Sequence, residues 1–195
     1  MTGNENELEL IKLSLSGDSD AYGCLVNSYS SRIFSIVYRM TNNYHEAEDI
    51  TQETFVKAYD RLNNYKIRYK FFSWLCTIAL NITRNRLRRK SILKFFSLDK
   101  RAVPGDEDSR PIELADGTLT PEEELLKKEK MGKINELVYS LPVRYREIFL
   151  MRNLEEMSYA EISRVTGLPM GTVENRLFRA NKLISSKYRE FFGEK

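Results

Sequence analysis

The side chains best suited to bind another molecule lie close together near the C-terminus. Thr172, Asn175, Arg176 and Arg179 recur at steps of three or four residues, so on a helix they share one exposed face. Hydroxyl, amide and guanidinium groups are the side chains that hydrogen-bond to base edges and phosphates. This pattern favours DNA recognition, although it also fits an ordinary helix hairpin with a solvated basic face.

Local signals place these residues on the second helix of a helix-turn-helix. Ser158 and Glu161 have the spacing of a capping box, which predicts that a helix begins there. Gly167 suits the left-handed residue that ends it, and a second helix starts within a few residues. In this motif the second helix enters the major groove with its N-terminal residues against base edges. The side chains predicted to pack the two helices together are Ile162, Val165, Leu168, Val173 and Leu177.

A second candidate for nucleic-acid binding follows an aromatic segment in the first half of the chain. Six basic residues and no acidic one lie between Arg84 and Leu98, just after the lone amide of Asn81. An amide reads an unstacked base while arginines hold the backbone, so the pattern fits single-stranded DNA. Taken alone, this pattern is a weak indication of DNA binding. Trp74 fits the core better than a stacking platform, because Leu75 and Ile78 continue the apolar stripe.

Composition limits the other possibilities. A chain of 195 residues with 42% hydrophobic and 30% charged residues predicts a globular protein with one medium core or two small ones. No apolar run approaches the roughly 18 residues of a membrane helix, so a cytoplasmic protein is expected. The single His45 and the distant Cys24 and Cys76 predict no zinc site, no cofactor and no histidine-based catalysis. Both cysteines lie in apolar helical patterns and are expected to be reduced core thiols.

The periodicity of the apolar residues predicts an all-α fold. Glycine is scarce, and apolar residues recur at steps of three and four along almost the whole chain. Four helices forming one small bundle are expected at about 5–15, from Asp20 to about Met40, at 44–62 and at 71–90. Thr41, Asn42 and Asn43 are expected to end the second helix. The third helix is expected to bury Ala47, Ile50, Phe55, Ala58 and Leu62.

A linker divides the chain into two small helical domains. Between Ser91 and Thr120 the periodicity stops, and prolines and glycines stand among acidic residues. Thr120 and Pro121 then have the chemistry of a helix start, as N-cap and first helical residue. The predicted organisation is a domain at 1–92, a flexible linker at 93–119 and a second domain at 120–195.

The charges are segregated, which indicates a protein partner in addition to nucleic acid. Glu46, Glu48, Asp49 and Glu53 crowd one helix ahead of the basic run. Asp49, Gln52 and Glu53 are polar acceptors on one face of an otherwise apolar helix, where the sequence offers them no evident internal use. Such a face is a candidate protein-binding surface.

Four segments resemble, in order and spacing, the landmarks of extracytoplasmic-function (ECF, group IV) sigma factors of the sigma-70 family. They are the acidic helix from Glu46 to Tyr59, Trp74-Leu with Ile78-Ala-Leu-Asn81, Leu141-Pro-Val-Arg-Tyr-Arg-Glu-Ile-Phe-Leu150, and Gly167-Leu-Pro-Met-Gly-Thr-Val173. The resemblance covers nearly the whole chain outside the linker. It implies a region-two four-helix bundle that binds polymerase and melts the −10 element, and a region-four helix-turn-helix domain that reads the −35 element.

The resemblance also implies roles for residues of this chain. Asp49, Gln52 and Glu53 match positions that contact the clamp helices of the largest polymerase subunit. Asn81 matches a position that holds a flipped base, with the loop Asn63 to Lys70 as the other wall. The further residues implied to bind the −10 element are Tyr65, Lys66, Arg68, Arg84, Arg86, Arg88 and Arg89. Those implied to bind the −35 element are Thr172, Glu174, Asn175, Arg176, Phe178 and Arg179.

The implied partners are core RNA polymerase, through its clamp and flap, promoter DNA and an anti-sigma factor. The implied function is promoter-specific transcription initiation by a protein that is not an enzyme. One position departs from the family: Glu174 stands where a basic residue is common, and there it would repel phosphate or accept a hydrogen bond from cytosine. The loop Tyr65 to Lys70 is also richer in aromatic and basic residues than the usual small-polar version.

Two other classes of protein fit parts of the sequence. A stand-alone helix-turn-helix regulator with a ligand-sensing or dimerising N-terminal bundle leaves the face of Asp49, Gln52 and Glu53 without a role. A helical interaction scaffold that binds no DNA does not account for the chemistry of Thr172, Asn175, Arg176 and Arg179.

Overall fold

Helices carry every candidate site except the loop between the third and fourth helices. The computed structural model describes the backbone of residues 3–96 and 131–192 and the side chains of residues 6–93 and 131–189. The N-terminal half comprises α1 (Gly3–Leu15), α2 (Ser19–Thr41), α3 (Tyr44–Asp60), a 3-10 turn (Leu62–Asn64) and α4 (Phe71–Phe96). The C-terminal half comprises α5 (131–139), α6 (Val143–Asn153), α7 (Tyr159–Thr166) and α8 (Met170–Phe192). The predicted all-α fold class is confirmed.

Short polar residues set the boundaries of α2 and α3. The Asp18 carboxylate accepts hydrogen bonds from the backbone N–H of Asp20 at 2.9 Å and of Ala21 at 3.0 Å, which begins α2. Asn42 adopts a left-handed conformation with φ of 53°, which asparagine tolerates better than most residues, and α2 ends there. The Asn43 side chain then accepts from the Glu46 N–H at 2.7 Å. The predicted end of the second helix is therefore confirmed.

The predicted core of the third helix is confirmed, since Ala47, Ile50, Phe55, Ala58 and Leu62 are all buried. The prediction for the cysteines is right for Cys76, which is buried, and wrong for Cys24, which is exposed. Helix α2 turns Ala21 and Leu25 toward the core. Successive helical residues differ by about 100°, so Cys24 lies outside the buried stripe despite its apolar neighbours.

Helix α4 is longer than the sequence indicates. It is helical through Phe96, the last residue described in this half, so the first four residues of the predicted linker, 93–96, are helical. The predicted helix start at Thr120 and Pro121 lies outside the described residues.

The two halves pack against each other through one continuous apolar core. Helix α6 packs against α2 and α7 packs against α4. The same cluster of buried side chains includes Leu25 and Ile78 from the N-terminal half and Ile148 and Ile162 from the C-terminal half. Burial of apolar surface therefore stabilises the contact between the halves as well as each half itself.

Arg146 joins the ends of helices from both halves. Its buried guanidinium donates hydrogen bonds to the backbone carbonyls of Met40 at the end of α2, of Tyr139 and, at 2.9 Å, of Leu141. It also stacks on the Tyr139 ring, 4.1 Å from the ring centre. Burial lowers the pKa of this guanidinium. Because the last carbonyls of a helix carry partial negative charge, Arg146 ties α2 to the chain after α5.

Candidate nucleic-acid and protein interfaces

The predicted helix-turn-helix is confirmed at α7 and α8. Ser158 and Glu161 form the capping box, with the Ser158 hydroxyl accepting from the Glu161 N–H and the Glu161 carboxylate accepting from the Ser158 N–H. Gly167 ends α7 in the left-handed conformation, with φ of 72°. The side chains that pack the two helices are buried or partly buried, as predicted: Ile162, Val165, Leu168, Val173 and Leu177.

Four of the predicted DNA-reading side chains share one surface at the start of α8. Thr172, Asn175, Arg176 and Arg179 line an open cavity of about 320 Å³. Arg144 and Tyr145 of α6 line it too, and the sequence reasoning missed both. The hydrogen bond from Arg179, helped by the charge of Arg144, lowers the pKa of Tyr145. The only sequence signal for Arg144 was its place near the start of the helix that follows Pro142, where it is the second helical residue.

Glu174 and Phe178 lie one helical turn apart on the exposed side of α8. The Phe178 ring is 69% exposed, so it contributes almost nothing to the core of this half. An apolar ring on a recognition helix suits contact with a thymine methyl group, and a carboxylate suits the amino group of cytosine. Their placement is compatible with base reading, and their role stays a prediction.

Asn81 is presented on the outer face of α4 rather than inside the bundle. Its side-chain oxygen accepts a hydrogen bond from Arg84 Nη1 at 3.1 Å. It lines a groove of about 740 Å³ between α3 and α4, together with Trp74, Arg86 and Arg89. Of the predicted contacts of α4, Asn81, Arg86 and Arg89 line this groove. Arg88 is exposed but does not line it, and the Arg84 guanidinium turns toward Glu147 of the C-terminal half.

The loop between α3 and α4 combines packing with exposed charge. The Tyr65 ring packs against Phe71 and Trp74, with ring centres 5.2 Å and 5.4 Å apart. The expected placement of Trp74 in the core fits this aromatic cluster, in which it is partly buried. Lys66 and Arg68 are exposed. Tyr65 therefore supports the wall of the candidate base pocket, and the two cations project from it.

The candidate polymerase-binding face divides into exposed and internally paired residues. Asp49 and Gln52 are exposed on α3. Glu53 is half-buried and accepts from Lys57 at 2.6 Å and from Arg86 at 3.0 Å. The hydrogen bond from Lys57 lowers the pKa of Glu53 against the effect of burial, and Arg86 lowers it further. The expectation that Glu53 has no internal use is wrong, because Arg86 reaches it from the neighbouring helix.

The acidic and basic segments are neighbours rather than separate surfaces. Lys90 of α4 pairs with Glu46 of α3 at 2.7 Å, and Arg86 also lies 3.8 Å from Asp49. Part of the basic run predicted to hold DNA therefore links α4 to α3 in this structure.

Ion pairs also cross between the two halves. Arg84 Nε donates to Glu147 Oε2 at 2.7 Å. Within the C-terminal half, Arg176 Nη1 lies 3.8 Å from the other oxygen of the same carboxylate. Lys70 Nζ lies 2.9 Å from Glu161, and Arg32 Nη2 lies 2.7 Å from Glu155. These three glutamates belong to the C-terminal half, and Arg84 and Lys70 belong to the predicted −10 surface.

Glu161 gives the structure a pH dependence. Burial would raise the pKa of its carboxyl group, but hydrogen bonds from Lys70 and Ser158 lower it to about 2, below the ordinary value of 4.5. Such a group stabilises the fold above the ordinary pKa and loses that contribution as pH falls through the lowered value. We expect Glu161→Gln to lower the Tm at neutral pH, and the difference from the parent to shrink as pH falls from about 4.5 toward about 2. A difference in Tm that stays constant over this range would contradict the assignment.

Comparison with known proteins identifies both halves. The family description "Sigma-70 region 2" matches residues 25–92, and "Sigma-70, region 4" matches residues 131–184. The ECF RNA polymerase sigma factor SigW of Bacillus subtilis is 34% identical over 92% of this chain and 95% of its own length. The RNA polymerase sigma-H factor of Pseudomonas aeruginosa is 30% identical over the full length of both chains.

Two solved structures share the fold across most of the chain. CnrH, solved in complex with the cytosolic domain of CnrY, has a TM-score of 0.67 at 21% identity, covering 95% of this chain and 98% of CnrH. The sigma factor RpoE of Bartonella quintana, in complex with the anti-sigma factor NepR, has a TM-score of 0.67 at 17% identity, covering 85% and 94%.

A region-2 bundle followed by a region-4 helix-turn-helix defines a transcription initiation factor of the sigma-70 class. The chain belongs to the ECF RNA polymerase sigma factors. It is therefore not an enzyme: it binds core RNA polymerase and promoter DNA and directs promoter-specific initiation. Among the described helices, none combines the length and the apolar character that crossing a membrane requires.

Proposed function

We propose that the start of α8 reads the −35 element and that α4, with the loop Asn63 to Lys70, opens the −10 element. The observation that carries this proposal is the convergence of Thr172, Asn175, Arg176 and Arg179 on one open cavity at the N-terminus of α8. A recognition helix contacts base edges with its N-terminal residues.

Each side chain of α8 has a base or phosphate that it suits. The arginines fit guanine, Asn175 fits adenine, Glu174 accepts from the amino group of cytosine and Phe178 contacts the thymine methyl group. Arg144 enters from α6 at the edge of the cavity and suits a backbone phosphate, which positions the helix without reading sequence.

On the N-terminal half, Asn81 receives a base flipped from the −10 strand. Extracting a base costs a few kcal/mol, so hydrogen bonds in the pocket must offset that cost. Asn81 is exposed and lies beside the arginines of α4, and Tyr65 holds the opposite wall in place through its contact with Trp74. Lys66, Arg68, Arg88 and Arg89 are exposed and hold the displaced strand by its phosphates.

The exposed residues Asp49 and Gln52 contact the clamp helices of the largest polymerase subunit. Glu53 accepts a hydrogen bond from Arg86 and so holds Arg86 beside the clamp-binding face. Glu53 itself contacts polymerase only if polymerase displaces Arg86. The C-terminal half binds the polymerase flap. We place the region-two domain at 1–92, a linker at 93–119 whose first residues continue α4, and the region-four domain at 120–195.

An anti-sigma factor is the partner proposed to hold the protein inactive. Support comes from CnrH and RpoE, which share this fold and were solved with the cytosolic domain of CnrY and with the anti-sigma factor NepR. The cytoplasm is the proposed location, since a sigma factor must meet core polymerase and promoter DNA there.

Substitution of Asn81 tests the opening of the −10 element. We expect Asn81→Ala to change the free energy of unfolding by less than about 0.5 kcal/mol, because the side chain is exposed. The variant should form holoenzyme and bind duplex promoter, but permanganate footprinting should show less unpaired thymine near the −10 element. A premelted bubble template should restore much of the lost transcription.

Asn27→Ala is the matched control, since Asn27 is an exposed amide within α2. It should leave both stability and promoter opening unchanged. A loss of about 1 to 3 kcal/mol of stability in Asn81→Ala, with normal opening once folded, would make Asn81 a structural residue.

A further inference from the structure

The contact between the halves occupies cations that the proposed function assigns to DNA, and the inference below rests on that assignment. Glu147 is the centre of this contact, and its side chain is only 5% exposed. One carboxylate oxygen accepts from Arg84 of the −10 surface, and the other lies 3.8 Å from Arg176 of the −35 surface. A single acidic group thus engages an arginine from each DNA-reading surface.

This arrangement cannot persist on a promoter. The −35 and −10 elements are separated by roughly 25 base pairs, which is about 85 Å of straight B-form DNA at about 3.4 Å per base pair. Arg84 and Arg176 lie within hydrogen-bond or ion-pair distance of one carboxylate, so they cannot reach both elements together. The halves must separate before the protein reads both elements.

The acids that hold the halves together are buried. The side chains of Glu147, Glu155 and Glu161 are 5%, 6% and 10% exposed, and each pairs with a cation of the N-terminal half. A buried carboxylate that loses its cation is strongly disfavoured, so these pairs oppose partial opening of the interface. Arg146, which donates to Met40 across the same interface, acts in the same direction.

Carboxylate and phosphate oxygens both accept hydrogen bonds from a guanidinium group. When the two halves are packed together, the closed arrangement, Glu147 therefore accepts the interactions of Arg84 and Arg176 that DNA phosphates would otherwise accept. We propose that Glu147 makes the free protein self-inhibited: it holds the halves closed and withholds one arginine of each surface until polymerase and promoter replace it. Because coupling is reciprocal, closure lowers DNA affinity by the same factor by which DNA binding favours opening.

The test measures opening and DNA affinity in the full-length free protein. Cys24 is exposed and Cys76 is buried, so a dye placed on Cys24 and a second on Asn181→Cys of α8 report the separation of the halves by energy transfer. Glu147→Gln keeps the shape of the side chain and removes its charge. We expect it to shift the closed-to-open ratio about tenfold toward open and to tighten binding to a −35 duplex by a similar factor.

Arg32→Gln provides a second variant, because Arg32 pairs with Glu155 across the interface and is not assigned to DNA or polymerase. Arg32→Gln should also shift the protein toward the open state and tighten its binding to the −35 duplex. If Glu147→Gln fails to fold, this variant alone tests the proposal. Glu136→Gln, an exposed carboxylate of α5, is the control and should change neither quantity.

Unchanged energy transfer in both interface variants would overturn the proposal, and so would opening without a gain in DNA affinity. Failure of the proposed function is distinguished by Arg179→Ala, since Arg179 lies in the α8 cavity and has no ion pair with Glu147. If Arg179→Ala loses promoter-dependent transcription while the interface variants behave as the parent, the function stands and self-inhibition is wrong. If Arg179→Ala transcribes as the parent, the assignment of α8 is wrong, and self-inhibition loses its basis.

Discussion

Replacement of Arg179 by alanine is expected to weaken holoenzyme binding to −35-dependent promoters by about 1 to 3 kcal/mol, or roughly 5- to 150-fold. Arg179 lines the cavity at the start of α8, and an arginine that contacts a guanine contributes about this much to discrimination between bases. If it reads a base, the variant should also lose preference at one promoter position. If it contacts a phosphate, the variant should bind all promoter sequences more weakly by the same factor, and its binding should depend less on salt concentration.

Arg176→Ala should weaken promoter binding to a similar extent. In the free protein part of that loss should be offset, because the substitution also removes the pairing of Arg176 with Glu147 that the closed arrangement uses. Lys182→Ala is the matched control, an exposed cation of α8 that does not line the cavity. Promoter binding and run-off transcription by both arginine variants at the level of the parent would show that α8 is not the recognition helix.

Charge reversal at Asp49 combined with Gln52→Ala is expected to weaken binding to core polymerase by about 2 to 5 kcal/mol. Both side chains are exposed on α3, so helical content should stay unchanged. The loss would come from repulsion between the reversed charge and the polymerase clamp that this face is proposed to contact. Titration of labelled core polymerase with the variant measures it.

Glu9→Lys is the control for the change in charge, because Glu9 is an exposed carboxylate on α1, away from the proposed clamp surface. It should bind core polymerase as the parent does. Unaltered affinity of the Asp49 and Gln52 double variant would remove the polymerase assignment from this face of α3.

The helix-turn-helix could be predicted because its signals are local. The Ser158 and Glu161 cap joins residues three positions apart, Gly167 ends the helix by its own conformation, and the packing residues recur at helical spacing. The helix boundary at Asn42 and Asn43 could be predicted for the same reason, since short polar side chains hydrogen-bond to backbone groups a few residues away.

The ion pairs could not be predicted, because their partners are distant in sequence. Arg86 reaches Glu53 across 33 residues, and Arg84 reaches Glu147 across 63. Any arginine of the basic run could have met DNA, an acid of α3 or an acid of the other half. The packing of α3 and α7 on α4, and of α6 on α2, determines which of these partners each arginine meets.

Run-off transcription with purified core polymerase on genomic DNA, followed by sequencing of the start sites, tests whether the chain directs promoter-specific initiation. We expect transcripts only when this chain is added, from start sites that share one −35 motif and one −10 motif at constant spacing. The Asn81→Ala and Arg179→Ala variants should each lose these transcripts. Transcripts that do not depend on the chain, or start sites with no common upstream motifs, would contradict its assignment as the promoter-reading subunit.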